Sequence, residues 1–301
     1  MVGRKPDFLI IGTMKCGTTS LHNYLGRHPS VFTTVPKEIH FFNNDSFDES
    51  KLDEYYAHFI SEAKAVGASP QNYTKQHLDK FDGAAERLVR HCPKVKLIYL
   101  IRNPIDRIES HFNEAQVQGC PPSKGLNDYI ENETEANHYI QTSKYFYQIS
   151  KFLELFPKDQ VKIVFTESLR ANRLETLNSI FKFLGVDELQ DASLFDFISN
   201  DSSHKFRNTR IVKWSNTPSG RLLKSLLPKS LLESLKGRIS TREFVPSMGP
   251  REKLTEVNRA LILKILEEDL AQLSTLTGSD LSQWESMYPH SEDASLSSTI
   301  L

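Results

Sequence analysis

Cysteine is scarce. Cys16, Cys92 and Cys120 are an odd three in 301 residues, which excludes a disulfide framework and suits a reducing compartment. No apolar run reaches the length of a membrane span, and the first strand pattern starts about five residues after Met1, leaving no room for a signal peptide. The expectation is a cytoplasmic protein with no integral membrane segment. In that setting the four Asn-x-Ser/Thr sequons, at Asn44, Asn72, Asn132 and Asn200, read as chance. Neither sign of charge dominates: 37 basic and 38 acidic side chains leave a net charge of −1, so nothing global calls for nucleic acid. No paired Cys/His spacing forms a zinc site, and no metal is expected. Repeats are absent, and low complexity is confined to a Ser-rich end. Residues 289–301 read as a frayed tail and 1–288 as one domain, with 39% hydrophobic residues to build its core.

Strand-like apolar runs occur at 7–11, 64–68, 95–101 and 161–166, separated by helical patterns at 18–27, 83–92, 105–118, 143–156 and 173–184. This alternation predicts an α/β fold with a central, mostly parallel sheet flanked by helices. Gly185 suits the stop of the helix that ends at Leu184. Beyond about residue 190 the strand signal disappears. Helical patterns at 219–236 and 251–276 remain, predicting a helical C-terminal portion packed against the sheet.

Residues 8–20, Phe-Leu-Ile-Ile-Gly-Thr-Met-Lys-Cys-Gly-Thr-Thr-Ser, read as strand, tight loop and helix N-terminus. Backbone N–H groups of such a loop converge on an anion, and the helix dipole adds partial positive charge. The loop looks like a Walker A motif, but Walker A requires Lys directly after its second Gly. Thr18 stands there, and Lys15 lies two residues before Gly17. The site therefore suits a phosphate whose chemistry is not nucleoside-triphosphate hydrolysis. A second signature follows the strand Leu97–Ile101: Arg102-Asn103-Pro104, then Asp106-Arg107 and Ser110. Asn103 suits a helix cap and Pro104 the first helical position, placing Arg102 at the carboxyl end of a strand, where α/β sheets bind ligands. An arginine fork and a hydroxyl two turns into the helix can grip a second phosphate.

Lys15-Cys16-Gly17-Thr18-Thr19 resembles the 5′-phosphosulfate loop of sulfotransferases that use 3′-phosphoadenosine-5′-phosphosulfate (PAPS), whose common form has Ser in place of Cys16. Arg102 and Ser110 match that family's 3′-phosphate motif at its spacing. The resemblance covers roughly 6–285 and implies a fold like that of P-loop NTPases, PAPS as donor and its 3′,5′-diphosphate (PAP) as product. It implies donor-binding roles for Lys15, Cys16, Gly17, Thr18, Thr19, Ser20, Arg102 and Ser110. Cys16 is then a loop residue rather than a nucleophile.

In Lys37-Glu38-Ile39-His40-Phe41-Phe42-Asn43 a carboxylate and an imidazole two apart in an extended segment point the same way. Either can take the proton of an attacking hydroxyl. The segment resembles the Lys-Glu-x-His-Phe-Phe element of heparan-type and bacterial carbohydrate sulfotransferases, which implies Glu38 as general base and His40 in support. Asn43 replaces a frequent Asp. Ser69-Pro70-Gln71-Asn72-Tyr73 is a looser match. Ala68 stands where heparan-type enzymes often carry Lys, against a heavily sulfated glycosaminoglycan acceptor.

The resemblance places Tyr145 near the adenine, although a Tyr on an amphipathic helix equally suits a core. Of the basic residues Lys205, Arg207, Arg210 and Lys213, Arg207 is the candidate 3′-phosphate contact, a solvated basic face being the plainer alternative. Lys236-Gly237-Arg238 resembles a cofactor segment, or is simply a helix end.

The implied activity is sulfuryl transfer from PAPS to a hydroxyl, or an amine, of a carbohydrate, glycolipid or small molecule, with Lys15 stabilising the leaving oxygen. A homodimer is compatible with this. A P-loop kinase or NTPase, and a catalytically silent nucleotide-binding protein, are the alternatives.

Overall fold

A computed structural model describes residues 3–43, 45–117, 124–132, 137–196, 251–282 and 284, together with the backbone of 206–208 and 242–244. In chain order the elements are β1 (Phe8–Gly12), α1 (Thr18–Leu25), β2 (Val31–Thr33), α2 (Leu52–Tyr56), β3 (Ala65–Ala68), α3 (Ala84–His91), β4 (Lys96–Ile101) and α4 (Pro104–Val117). There follow α5 (Leu126–Asn132), α6 (His138–Gln141), α7 (Tyr145–Leu155), β5 (Val161–Phe165), α8 (Thr166–Ala171), α9 (Arg173–Leu184), β6 (Phe206–Asn208), β7 (Arg242–Phe244) and α10 (Glu256–Thr277).

β1 to β5 form one parallel sheet in the order β2-β3-β1-β4-β5. The central strands β1, β3 and β4 read as unbroken apolar runs because helices cover both faces, and nearly all of their residues are buried. The edge strand β5 is only half covered. β3 has the small sequence Ala-Val-Gly-Ala for a steric reason: a Cβ at Gly67 would lie 2.5 Å from the Phe8 carbonyl oxygen and 2.6 Å from its ring. The chain leaves β1 for the edge strand β2, returns to β3 and then crosses to β4 on the other side, so the carboxyl end of β1 is a topological switch point, the place where open α/β sheets bind ligands.

Two expectations need correction. β2 was not anticipated, since its three residues carry no apolar run. The strand signal does not end near 190: β6 and β7 form a separate antiparallel pair, each only three residues long. The expected 219–236 helix and the 289–301 tail lie outside the described residues. The second C-terminal helix is α10, and its Asp269 caps α7 by accepting from the Phe146 and Tyr147 amides at 3.0 and 2.8 Å. Burial pushes the Asp269 carboxyl up to about 6. Trp284 is buried and its carbonyl accepts from Asn103 Nδ2 at 3.1 Å, so the C-terminal segment reaches the cap of α4. Gly185 takes the left-handed conformation expected of a helix stop, φ 80°.

Gly67→Ala forces a methyl against the β1 backbone and should lower stability by about 1–3 kcal/mol. Urea denaturation checks this through a lower midpoint at unchanged slope.

Candidate active site

Every strand of the parallel sheet delivers a residue to its carboxyl edge. After β1 the backbone turns through Lys15 (φ 73°) and Gly17 (φ 85°) into α1. Glycine suits that second position because φ lies in the left-handed region. No side chain caps α1, so its first N–H groups remain available to an anion. The loop is braced from behind. Thr13 N–H donates to the Leu100 carbonyl at 3.0 Å, and Thr166 Oγ1 stands 2.6 Å from the Cys16 carbonyl and 2.9 Å from that of Ile101, joining β5, the loop and β4. Cys16 is buried with its sulfur 3.8 Å from the Tyr145 hydroxyl. Burial pushes the thiol up to about 11, so no thiolate forms at neutral pH.

Beyond β2 the chain carries Lys37, Glu38 and His40 toward the same loop. One Glu38 oxygen lies 2.9 Å from Lys37 Nζ and accepts from Gln71 Nε2 at 2.7 Å; the other is 3.0 Å from His40 Nε2. Burial works to raise this carboxyl, but the bonds from His40 and Lys37 outweigh it and hold Glu38 at about 2. Lys37 also donates to Thr19 Oγ1 at 3.1 Å, and Gln71 Oε1 accepts from Thr18 Oγ1 at 2.6 Å. Two bridges thus tie the Glu38 carboxylate to the first turn of α1. His22, on α1, locks the platform. The Thr34 carbonyl can only accept, so His22 Nε2 carries the proton, leaving Nδ1 to accept from the Ser69 hydroxyl at 2.8 Å. Burial and the Lys37 charge lower this imidazole to about 4.

After β4, Asn103 caps α4 through the Ile105 and Asp106 amides at 2.9 and 3.3 Å, as its position before Pro104 predicts. Arg102 reaches Asp106 at 2.8 Å and the Lys15 carbonyl at 3.3 Å, which sets its guanidinium against the backbone of the loop. Lys15 Nζ is 3.0 Å from Glu114. Asp106, Ser110 and Glu114 follow one another at successive turns of α4, so the half-buried Ser110 stands between the carboxylates that hold Arg102 and Lys15.

Tyr145 is wholly buried, donating to the Arg102 carbonyl at 2.8 Å and packing edge-on to Trp284. Its contacts are with the backbone and core behind the site. Ser20 lies on the first turn of α1. Arg207 is on β6, with its side chain outside the described residues, as are Lys205, Arg210, Lys213 and the 236–238 segment. Lys37, Gln71, His22 and Thr166 received no role from the sequence. Lys37 adjoins Glu38 in the sequence, which was the available signal; Gln71 lies 33 residues away and is brought to Glu38 only by the fold.

A family model described as "Sulfotransferase domain" matches residues 5–229. The bifunctional heparan sulfate N-deacetylase/N-sulfotransferase 2 of Homo sapiens is 28% identical over 200 residues, covering 61% of this chain and 22% of that protein. The bifunctional heparan sulfate N-deacetylase/N-sulfotransferase of Drosophila melanogaster is 26% identical over 213 residues, covering 62% and 20%. The chain thus spans about a fifth of the length of these curated relatives. A sulfotransferase from Alicyclobacillus acidocaldarius shares the fold, with a TM-score of 0.64 over 94% of this chain and 99% of its own, at 22% identity.

Because folding lowers the Glu38 carboxyl from 4.5 to about 2, its contribution to stability is full above 4.5 and lost as pH falls toward 2. Urea midpoints across that window should show the gap between wild type and Glu38→Gln closing as pH falls; a constant gap contradicts the ion pairing described.

Proposed function

The chain belongs to the sulfotransferase family, and on that premise we propose that it transfers a sulfuryl group from PAPS to a hydroxyl or amine of a carbohydrate acceptor. The observation that carries this reading is the double bridge between Glu38 and the α1 N-terminus, through Lys37–Thr19 and Gln71–Thr18. It puts a carboxylate beside an anion cradle, which is the arrangement that in-line transfer from a bound phosphosulfate requires.

In this scheme the loop 13–20 receives the 5′-phosphosulfate, and Arg102 with Ser110 receives the 3′-phosphate. The acceptor oxygen or nitrogen attacks sulfur as the bond from sulfur to the bridging oxygen breaks. The electron pair of that bond stays on the 5′-phosphate, where Lys15 and the loop amides meet the charge. The acceptor proton passes to Glu38. At about 2 the carboxylate is fully ionised at neutral pH yet a weak base, because His40 and Lys37 both hold it. An anion arriving at the loop competes for Lys37, already within reach of Thr19, and so raises Glu38's basicity when a proton must be taken. His40 keeps the carboxylate aimed.

The carbohydrate class and the amine option rest on the names of the heparan sulfate relatives. We place the enzyme in the cytoplasm because Cys16 and Cys92 are free, buried thiols. Among the described residues no helix is long and apolar enough to cross a membrane. A nucleoside-triphosphatase reading meets Thr18 where Lys is needed and Arg102 at the end of β4.

Lys15→Ala should cost about 10²–10³-fold in kcat with radiolabelled PAPS. Glu38→Gln should cost about 10²–10⁴-fold while calorimetry finds PAP affinity nearly unchanged. Full turnover by Glu38→Gln would move the base to His40. Magnesium-dependent ATP turnover without sulfuryl transfer would overturn the reading.

A further inference from the structure

Beside the loop and the base stands a set of cationic and imidazole side chains that the proposed chemistry leaves without a task. Lys75, in the turn beyond β3, is only 6% exposed, and its ammonium meets the Met14 thioether at 3.4 Å, a weak acceptor for a full charge. Arg107, on α4, has no exposed surface. Its guanidinium donates to Ser143 Oγ at 2.7 Å and to the Tyr139 carbonyl, and lies 3.2 Å from His111 Nδ1. His77 Nε2 and His138 Nδ1 share a hydrogen bond of 2.9 Å, and the His138 ring lies 5.3 Å from that of His111.

Among the described residues none of these five side chains bonds to a carboxylate. Two buried cations without a counter-charge are costly, and the cost is offset where an anion binds. Among the described residues no group of three or more His, Cys, Asp or Glu side chains is arranged to hold a metal ion. Burial and the charges of Lys75 and Arg107 hold His77 at about 4 and His138 at about 3, so both rings are neutral as the structure stands. Burial, with Arg107 adding to it, lowers Lys75 to about 8, while the Glu38 charge works the other way. The contact with Met14, the residue before Lys15, sets the cluster against the loop rather than on a remote surface.

We propose that Lys75, His77, Arg107, His111 and His138 form a recognition site for an oxyanion of the acceptor, a carboxylate or sulfate ester near the group that receives the sulfuryl. The site rests on the sulfotransferase reading. His77 and His138 are its half-exposed members, and Lys75, His111 and Arg107 its buried ones. An oxyanion supplies the missing counter-charge and favours one further proton on the His77–His138 pair, whose facing nitrogens share a single hydrogen bond.

The test has two arms. In the first, protein saturated with PAP is titrated with glucuronate, N-acetylglucosamine 6-sulfate or neutral N-acetylglucosamine, and the histidine resonances are followed by NMR. One or both anions should shift the His77 and His138 signals and raise their pKa values, and whichever does so identifies the oxyanion. The neutral sugar should leave them in place, and Lys75→Met should abolish the response. His77→Gln, at a half-exposed position, should weaken the response in the same way, with PAP binding reporting that either variant is folded. A silent titration, an equal response to the neutral sugar, or an unchanged response in Lys75→Met overturns the proposal.

The second arm measures transfer to a glucuronate-containing oligosaccharide and to its carboxyl-reduced counterpart. Lys75→Met should raise KM for the first by about tenfold or more and leave the second unchanged. An equal loss of kcat with both would assign Lys75 to the transferred group instead and overturn the proposal. If no acceptor is sulfated, the sulfotransferase reading fails on its own, because the first arm needs no turnover.

Discussion

The site depends on one backbone feature: the handover from β1 to an α1 whose N-terminus no side chain caps. A fully buried central strand fixes where this happens, and the left-handed turn at Gly17 fixes the direction of the amides. An uncapped helix N-terminus is a standing demand for negative charge. The surrounding polar contacts either brace this turn from behind or bring a charged group to its open side. Thr166, Tyr145 and the Leu100 carbonyl do the first. Lys15, Lys37, Arg102 and, through Gln71, Glu38 do the second.

The charges on that open side are already balanced in pairs. Lys15 faces Glu114, Arg102 faces Asp106, and Lys37 faces Glu38. In the proposed scheme a polyanionic donor meets cations held in place and exchanges partners with carboxylates rather than ordering loose side chains. Pre-positioning of this kind reduces the reorganisation needed when charge develops. Lys37, shared between Thr19 and Glu38, would link donor binding to the proposed base. Lys75 and Arg107 break the pattern. They sit deeper, without carboxylates among the described residues, and so mark the side where balance is left to an incoming group.

Local signals were legible in the sequence because they rest on contacts a few residues apart. The loop from Gly12 to Ser20, the Asn103 cap ahead of Pro104, the stop at Gly185 and the apolar runs of β1, β3, β4 and β5 all needed only neighbours. What escaped was either too short to carry a pattern, as with β2 and the β6–β7 pair, or spread across the chain. Tyr145 shows the limit from another direction. Its helix is amphipathic either way, and only its burial against Cys16 and the Arg102 carbonyl tells which atoms it touches.

By itself the sequence determined the α/β class and the strand–loop–helix turn with its displaced lysine. It also named the Arg102–Ser110 pair and the Glu38–His40 pair, because each is a motif of fixed local spacing. The strand order β2-β3-β1-β4-β5 decided the rest. It brings residue 38 against residue 71, residue 15 against residue 114, and residue 75 against residue 14. Those contacts fasten Glu38 beside the loop and leave Lys75 facing a thioether. Charge and desolvation act through space, and spacing along a chain does not record which distant segments a folded sheet makes into neighbours.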